Sequence, residues 1–226
     1  MKGKHDTISY SGRFPVTGKD ICIKMIELLR EYFSFPVLRL HLHKNIPTGA
    51  GLGGGSSDAA FLLKSLNSRF GFGMNQSQLG ELAGRVGSDC PFFINNKPCL
   101  VTGRGEKLEG LQLSLEGLYM VLVCPGINVS TAEAYREVTP VHKSPVLQEL
   151  VAETTDKWRD LIINEFEIPV FKRYPEIKKI REELYHMGAV YASMTGSGSA
   201  VYGLFRSEPE IHGEFSECFI HREWLH

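Results

Sequence analysis

The sequence predicts an α+β protein made of two subdomains. Three observations carry that expectation. Apolar residues recur at helical spacing in some stretches and alternate in others, and the two patterns are interleaved along 226 residues. Two glycine-rich turns, Gly49–Gly55 and Thr195–Ser199, each follow a strand-like segment. The pattern breaks near Glu109–Leu118, which divides the chain into regions 1–112 and 113–226.

The elements follow in order. Asp20–Phe33 predicts a helix, with Ile23, Ile26, Leu29 and Tyr32–Phe33 at helical spacing. Val37–His43 alternates, and Leu38, Leu40 and Leu42 share one face of a half-buried strand. The glycine run comes next, then a helix over Ser56–Phe70 with an apolar stripe of Ala59, Leu62, Leu63 and Leu66. Ser56 is its expected N-cap. Asn75–Gly87 reads as a short helix, capped by Ser77 and stopped by Gly87. Pro91 bars helix continuation, so FFIN (92–95) and PCLVTG (98–103) are expected as paired strands around an NNK turn.

In the second region Leu118–Pro125 is a buried strand, and Ser130 or Thr131 caps a short helix after it. HKSPV (142–146) reads as an exposed linker. Helices follow at roughly Asp156–Glu165 and Pro175–Met187. AVYASM, TGSGS and AVYGLF form a strand, a glycine turn and a returning strand, with a last strand at CFI (218–220).

Composition narrows the function classes. Apolar residues make up 42% and charged residues 23%, ordinary values for a globular protein. A formal net charge of −1 gives no electrostatic case for nucleic acid or an anionic membrane. Cys22, Cys90, Cys99, Cys124 and Cys218 are odd in number and form no C-x-x-C, which argues against a disulfide framework and a zinc cluster. Reduced thiols fit a cytoplasmic address. The longest apolar run, Leu118–Cys124, is too short for a bilayer, and the first residues hold no apolar signal-peptide core.

The run NIPTGAGLGGGSSDAA, Asn45–Ala60, carries the chemistry. Between Gly49 and Gly55 only Ala50 and Leu52 have side chains. Glycines ahead of a helix let backbone N–H groups close around an oxyanion, and the helix N-terminus adds partial positive charge. Two phosphate motifs match by half. Gly49, Gly51 and Gly54 fit the dinucleotide fingerprint, but no acid stands about 20 residues on, as a ribose would need. Gly49 and Gly54 fit the start of a P-loop, but Gly55 replaces its lysine. What is left is a third kind of loop, glycines then Ser56 and Ser57 then a helix, with Pro47 fixing the approach; a tight turn that lets the helix pack on the strand is the other reading.

Asp89 is the candidate catalytic residue. Transfer of a phosphoryl group to an alcohol needs a group that holds the hydroxyl in line and takes its proton. CPFF is expected to bury this loop on one side and leave a partly buried carboxylate. A helix-terminal Asp forming a turn is the other reading. Asp58, in the first turn of the helix, suits the dipole. His41 and His43 share a strand face with no third ligand in sight and are read as surface residues. Cys90 has no activating histidine nearby and is read as core filling.

Three blocks in order, Pro47–Ala60, GSDCPFF (87–93) and MTGSGSAVYGLF (194–205), resemble the GHMP kinases; NEFE (164–167) and YPEIKKI (174–180) also fit. The resemblance covers Ser9 to Phe205. It implies an N-terminal domain like ribosomal protein S5 domain 2 (1–112) and a ferredoxin-like C-terminal domain (113–226). It implies ATP and Mg²⁺ as cofactors and Pro47, Thr48, Gly49, Ala50, Gly51, Leu52, Gly53, Gly54, Gly55, Ser56 and Ser57 as the ATP loop. Asp89 is then catalytic. Tyr135 aligns with an aromatic that stacks on cytosine, and Gly196, Ser197 and Gly198 sit beside substrate and phosphates. Thr195 stands where the family more often has serine and keeps the hydroxyl.

The matching branch of the family acts on the small molecule 4-diphosphocytidyl-2-C-methyl-D-erythritol, at its 2-hydroxyl, in non-mevalonate isoprenoid biosynthesis. A homoserine- or mevalonate-type acceptor and a non-catalytic nucleotide-binding fragment are the alternatives. No metal ligand is assigned, no nucleic acid or membrane partner is expected, and the chain is expected to be a monomer or homodimer. The family also opens with Lys-x-Asn and Gly-Tyr-His elements, the Lys beside the catalytic Asp. Neither stands before Ser9; Lys2, Lys4 and His5 lack the surrounding pattern and receive no role. The chain as written is therefore expected to lack an N-terminal segment, bind ATP poorly and catalyse little.

Overall fold

A computed structural model of the chain describes residues 5–14, 20–103, 105, 107–138 and 146–226. It divides into two units. One holds the chain up to Thr48 and Gly53–Gln112; the other holds Gly49–Leu52 and Leu113–His226. Both mix helices with sheet, as the expected α+β class requires.

The first unit runs β1 (Thr7–Gly12), α1 (Ile21–Tyr32), β2 (Arg39–Lys44), α2 (Gly54–Phe70), α3 (Gln76–Gly84), α4 (Cys90–Asn95), β3 (Cys99–Thr102) and β4 (Lys107–Gly110). β1 and β2 are parallel, Thr7 opposite Arg39 and Gly12 opposite Lys44. Parallel neighbours need a crossover, and α1 lies between them in the chain. The Asp20 carboxylate starts α1 by accepting from the Cys22 amide at 2.8 Å. Cys22, Met25, Ile26 and Leu29 then form its buried stripe. The expected stripe of α2, Ala59, Leu62, Leu63 and Leu66, is buried in the same core, and Leu38, Leu40 and Leu42 pack on it.

Several local expectations change. Gly53, not Ser56, is the N-cap of α2, in the left-handed conformation at φ 65°. A Cβ on Gly53 would lie 3.0 Å from the Phe93 ring, so both backbone and space call for glycine. Asn75, not Ser77, caps α3, in a capping box with Gln78, and the helix ends at Gly84 rather than Gly87. FFIN is helical, not a strand. Pro91 sits in the first turn of α4, where its missing N–H costs no bond, so it opens that helix instead of ending the previous one. β3 accordingly pairs with β4, antiparallel. β1 was not expected.

The second unit has a four-stranded antiparallel sheet, in the order β6 (Tyr191–Met194), β7 (Val201–Phe205), β5 (Tyr119–Cys124), β8 (Phe219–Trp224). Tyr119, Val121 and Val123 of β5 point into the core. α5 (Thr131–Glu137) is capped by Ser130, and α6 (Leu147–Val151) precedes a 3₁₀ turn at Thr155–Lys157. The helix expected over Asp156–Glu165 is that turn plus the short α7 (Trp158–Leu161). α8 (Glu167–Arg173) and α9 (Pro175–His186) follow, and α9 buries Ile177, Ile180 and Leu184. The expected linker 142–146 lies outside the described residues except for Val146, as do Lys2 and Lys4. Among the described residues no helix is long and apolar enough to cross a membrane.

Asp6 locks the edge of the first unit. Its carboxylate accepts from Arg30 Nε and Nη2, both at 2.7 Å, and from the Leu38 amide at 2.8 Å. One side chain thus joins the residue before β1 to α1 and to the start of β2. The Arg30 pair holds the Asp6 carboxyl below its ordinary 3.8. A lowered carboxylate pKa stabilises the fold above the unfolded value, and that contribution is lost as pH falls through the folded value. Asp6→Asn should cost about 1 kcal/mol at neutral pH in urea titrations, because the pair is partly exposed. The difference from wild type should shrink as pH falls below the ordinary 3.8.

Candidate active site

The glycine run is divided between the units, and its two side chains explain where. In the second unit Ala50 is buried with Cys124 and Ala200, and Leu52 packs on the same cluster beside Leu122 and Phe219. The Ala50 carbonyl accepts from the Ala200 amide at 3.1 Å and from Thr195 Oγ1 at 3.0 Å. Gly51 lies so close to the β6–β7 turn that a Cβ would sit 2.4 Å from the Thr195 carbonyl oxygen and 2.9 Å from that of Gly198. Its φ of 75° independently favours glycine. The Thr195 hydroxyl, read from sequence as retained, has a structural bond to make here.

The β6–β7 turn is itself held from several sides. Asn164 Nδ2 donates to the carbonyls of Met194 and Gly196, both at 2.8 Å. Ser199 donates to the Ile127 carbonyl, and Ser197 meets the Thr131 hydroxyl at 3.1 Å. Buried Glu167 accepts from the Met194 amide at 2.8 Å and from Ser193 Oγ at 3.1 Å, and pairs with Arg181. Tyr135 is exposed on α5, edge-on to Phe166 with ring centroids 4.8 Å apart.

In the first unit the run continues as the start of α2. The first ladder bond here is Ser57 N–H to Gly53 C=O at 2.9 Å, which places the amides of Gly54, Gly55 and Ser56 ahead of the ladder. Those amides and the dipole of a 17-residue helix form an anion-binding end. A Cβ on Gly54 would stand 3.0 Å from Ile46 Cγ2, so this backbone lies tight on the residues leading out of β2. Pro47 and Thr48 make that lead.

Asp89 stands directly before α4. Its side chain does not cap the helix; the contact it makes among the described residues is with Ser88 Oγ at 3.3 Å. It is exposed in its unit, not partly buried as expected, because Cys90 and Pro91 turn inward while the carboxylate points out. The turn before it packs on α2. Ser56 is hydrogen-bonded to the Cys90 thiol, and a Cβ on Gly87 would lie 4.0 Å from Ser56 Oγ. Burial pushes the Cys90 thiol up, partly offset by Ser56, so it stays protonated in the core as expected.

Lys44 and Asp58 were not paired from sequence. Lys44 ends β2, buried, and its ammonium bonds to the Asp58 carboxylate in the first turns of α2. Burial pulls the Lys44 pKa down, but the bond to Asp58 and nearby Asp20 more than offset it, and the net shift is upward. Asp58 is therefore committed to a lysine. His41 and His43 are exposed, as expected, and share Ser9 and Ser11 as partners at 2.8–2.9 Å. Among the described residues no three His, Cys, Asp or Glu side chains are grouped to hold a metal ion.

Residues 20–97 match the model of the GHMP kinases N terminal domain, and residues 146–218 that of the GHMP kinases C terminal domain. The chain is 44% identical over 204 residues to the 4-diphosphocytidyl-2-C-methyl-D-erythritol kinase of Parabacteroides distasonis, covering 89% of this chain and 75% of the relative. To the kinase of the same name in Bacteroides fragilis it is 43% identical over 192 residues, covering 85% and 70%. A crystal structure of 4-(cytidine 5'-diphospho)-2C-methyl-D-erythritol kinase superposes with a TM-score of 0.72 at 31% identity, covering 89% of this chain and 74% of that one.

Two outcomes follow from the loop geometry. Gly51→Ala should destabilise the second unit by about 2–4 kcal/mol, from overlap with the Thr195 carbonyl plus left-handed strain. Denaturant titration reads this directly, and Gly71→Ala, with open space around its Cβ, controls for the strain alone. Lys44→Met should cost about 1–3 kcal/mol, since it strands Asp58 and the pair is only partly screened. A raised lysine pKa stabilises below the unfolded value and stops doing so as pH rises through the folded one. The advantage of wild type over Lys44→Met should thus be full at neutral pH and vanish above the ordinary 10.5 in alkaline unfolding.

Proposed function

The chain belongs to the GHMP kinases, and from that premise we propose that it transfers the γ-phosphoryl group of ATP to the 2-hydroxyl of 4-diphosphocytidyl-2-C-methyl-D-erythritol. The observation that carries this reading is the identity of 44% over 204 residues with a relative of that name. The geometry supports it, because phosphoryl transfer asks for positioning and charge stabilisation more than for covalent chemistry from the protein.

Each part has a role. The amides of Gly54, Gly55 and Ser56, with the α2 dipole, hold phosphate oxygens, and Ser56 and Ser57 add hydroxyls. Gly49–Leu52 is fixed in place by its own bonds to the β6–β7 turn. Asp89 accepts the proton of the substrate hydroxyl as that oxygen bonds to the γ-phosphorus and the bond to the ADP oxygen breaks. Its carboxylate suits this: it faces outward and is not used as a cap. Tyr135 offers a ring face to cytosine, and Gly196, Ser197 and Gly198 line the substrate beside it. Mg²⁺ arriving with the triphosphate would take the hydroxyls of Ser56 and Ser57 and screen phosphate charge. The five cysteines are free, which fits a cytoplasmic enzyme.

The test is a coupled ADP-release assay. Release should require the cytidyl substrate, with homoserine and mevalonate inactive. Asp89→Asn should lower kcat by about 10²–10⁴-fold while ATP affinity stays within about twofold. ADP release that is independent of the cytidyl substrate, or an Asp89→Asn variant with full activity, would overturn the assignment.

A further inference from the structure

The block NEFE, Asn164–Glu167, matches the family by resemblance but has no part in the chemistry above. Asn164 uses both of its amide hydrogens and its amide oxygen. Its two amide hydrogens go to the carbonyls of Met194 and Gly196, at 2.8 Å each. Its Oδ1 accepts from the Phe166 amide at 3.0 Å. The amide is thereby fixed in one orientation, with donors toward the glycine turn and acceptor toward its own chain. Phe166 in turn carries the exposed Tyr135 ring, edge-on at 4.8 Å. Glu167 holds the same strand through the Met194 amide and Ser193 Oγ.

The geometry points to Asn164 as a positioning residue that sets the distance between the aromatic platform of Tyr135 and Phe166 and the Thr195–Ser199 turn. The ligand it serves is a pyrimidine nucleoside diphosphate, with its base on the platform and its phosphates toward the turn. The inference rests on the reading of Tyr135 as a base platform. It adds what that reading lacks, a physical reason why the base end and the phosphate end are recognised as one unit. A loose turn would still bind phosphate and a loose ring would still stack, but neither would discriminate by length. One side chain, bonded to the turn and to the backbone of the residue that carries the Phe166 ring, supplies the ruler. Thr131, at the start of the helix that bears Tyr135, meets Ser197 of the turn and spans the same gap by a second route.

The test uses cytidine diphosphate as the probe, titrated calorimetrically into the full chain. Asn164→Ser keeps an oxygen for the Phe166 amide but is too short to donate to both carbonyls. Phe166→Leu keeps an apolar filler but removes the ring under Tyr135. Each should weaken binding about tenfold, and the double variant should be no weaker than the poorer single one, because both cut the same link. Independent losses that multiply in the double variant would overturn the proposal, since separate structural defects add.

Amide exchange gives a readout that needs no ligand. Exchange at Thr195, Gly198 and Ala200 should rise about tenfold in Asn164→Ser with little change in thermal midpoint, and not in Phe166→Leu. Unchanged exchange in Asn164→Ser overturns the proposal. If wild type fails to bind cytidine diphosphate, the base-platform reading fails, and with it the ruler. If Asn164→Ser does not fold, Asn164→Asp takes its place, keeping Oδ1 for Phe166 and presenting at most one donor where Asn164 presents two; the same two results decide.

Discussion

The docking of Ala50 and Leu52 into the second unit is the contact on which the candidate site depends. These are the side chains left in a segment otherwise made of glycine, and both are buried or half-buried against Cys124, Ala200, Leu122 and Phe219. Glycine alone would leave the segment free to sample many conformations, at a large entropic cost to any ligand that ordered it. Two apolar anchors and two hydrogen bonds to the Ala50 carbonyl meet that cost during folding. Gly51 then has to be glycine because the backbone of the turn lies against it. Gly53, Gly54 and Gly55 are free of this duty and turn the chain into α2.

The charge arrangement follows from the same economy of side chains. No lysine reaches out from the glycine run. The nearby lysine in the fold, Lys44, is buried and bonded to Asp58, so its charge sets the start of α2 onto β2. Under the proposed function, phosphate is left to amides and serine hydroxyls, which carry no net charge of their own. A net charge of −1 fits this: attraction for an anion is local, built at one helix end, not spread over the surface. Asp89 stands exposed beside this helix end.

Much of the fold was legible from periodicity. α1, α2, β5 and the β6–turn–β7 pair follow from apolar spacing, because their stripes are long enough to show a period. The errors are local, and several share a cause. Where Pro and Gly punctuate the chain, the same residue can end one element or open the next. Pro91 opens α4 and Gly53 caps α2, while both were read the other way or passed over. β1 escaped because Thr7–Gly12 has one apolar side chain per turn of alternation and gains its place by pairing with β2. In the site, the glycine loops and Asp89 were legible as motifs. Lys44–Asp58, Asn164 and Glu167 were not, because their meaning lies in partners 14 to 32 residues away. Asp89 was expected half-buried because CPFF is apolar; the turn sends those side chains inward and the carboxylate out.

The central claim is that backbone amides at the start of α2 hold the nucleotide phosphates in place of a lysine. Titrating ¹⁵N-labelled chain with a non-hydrolysable ATP analogue and magnesium, and following amide resonances, tests it directly and needs no turnover. The account predicts saturable shifts that are largest at Gly53–Ser57, with smaller ones at Gly49–Leu52. Saturable binding with those amides unmoved, or no binding at millimolar analogue, would contradict it.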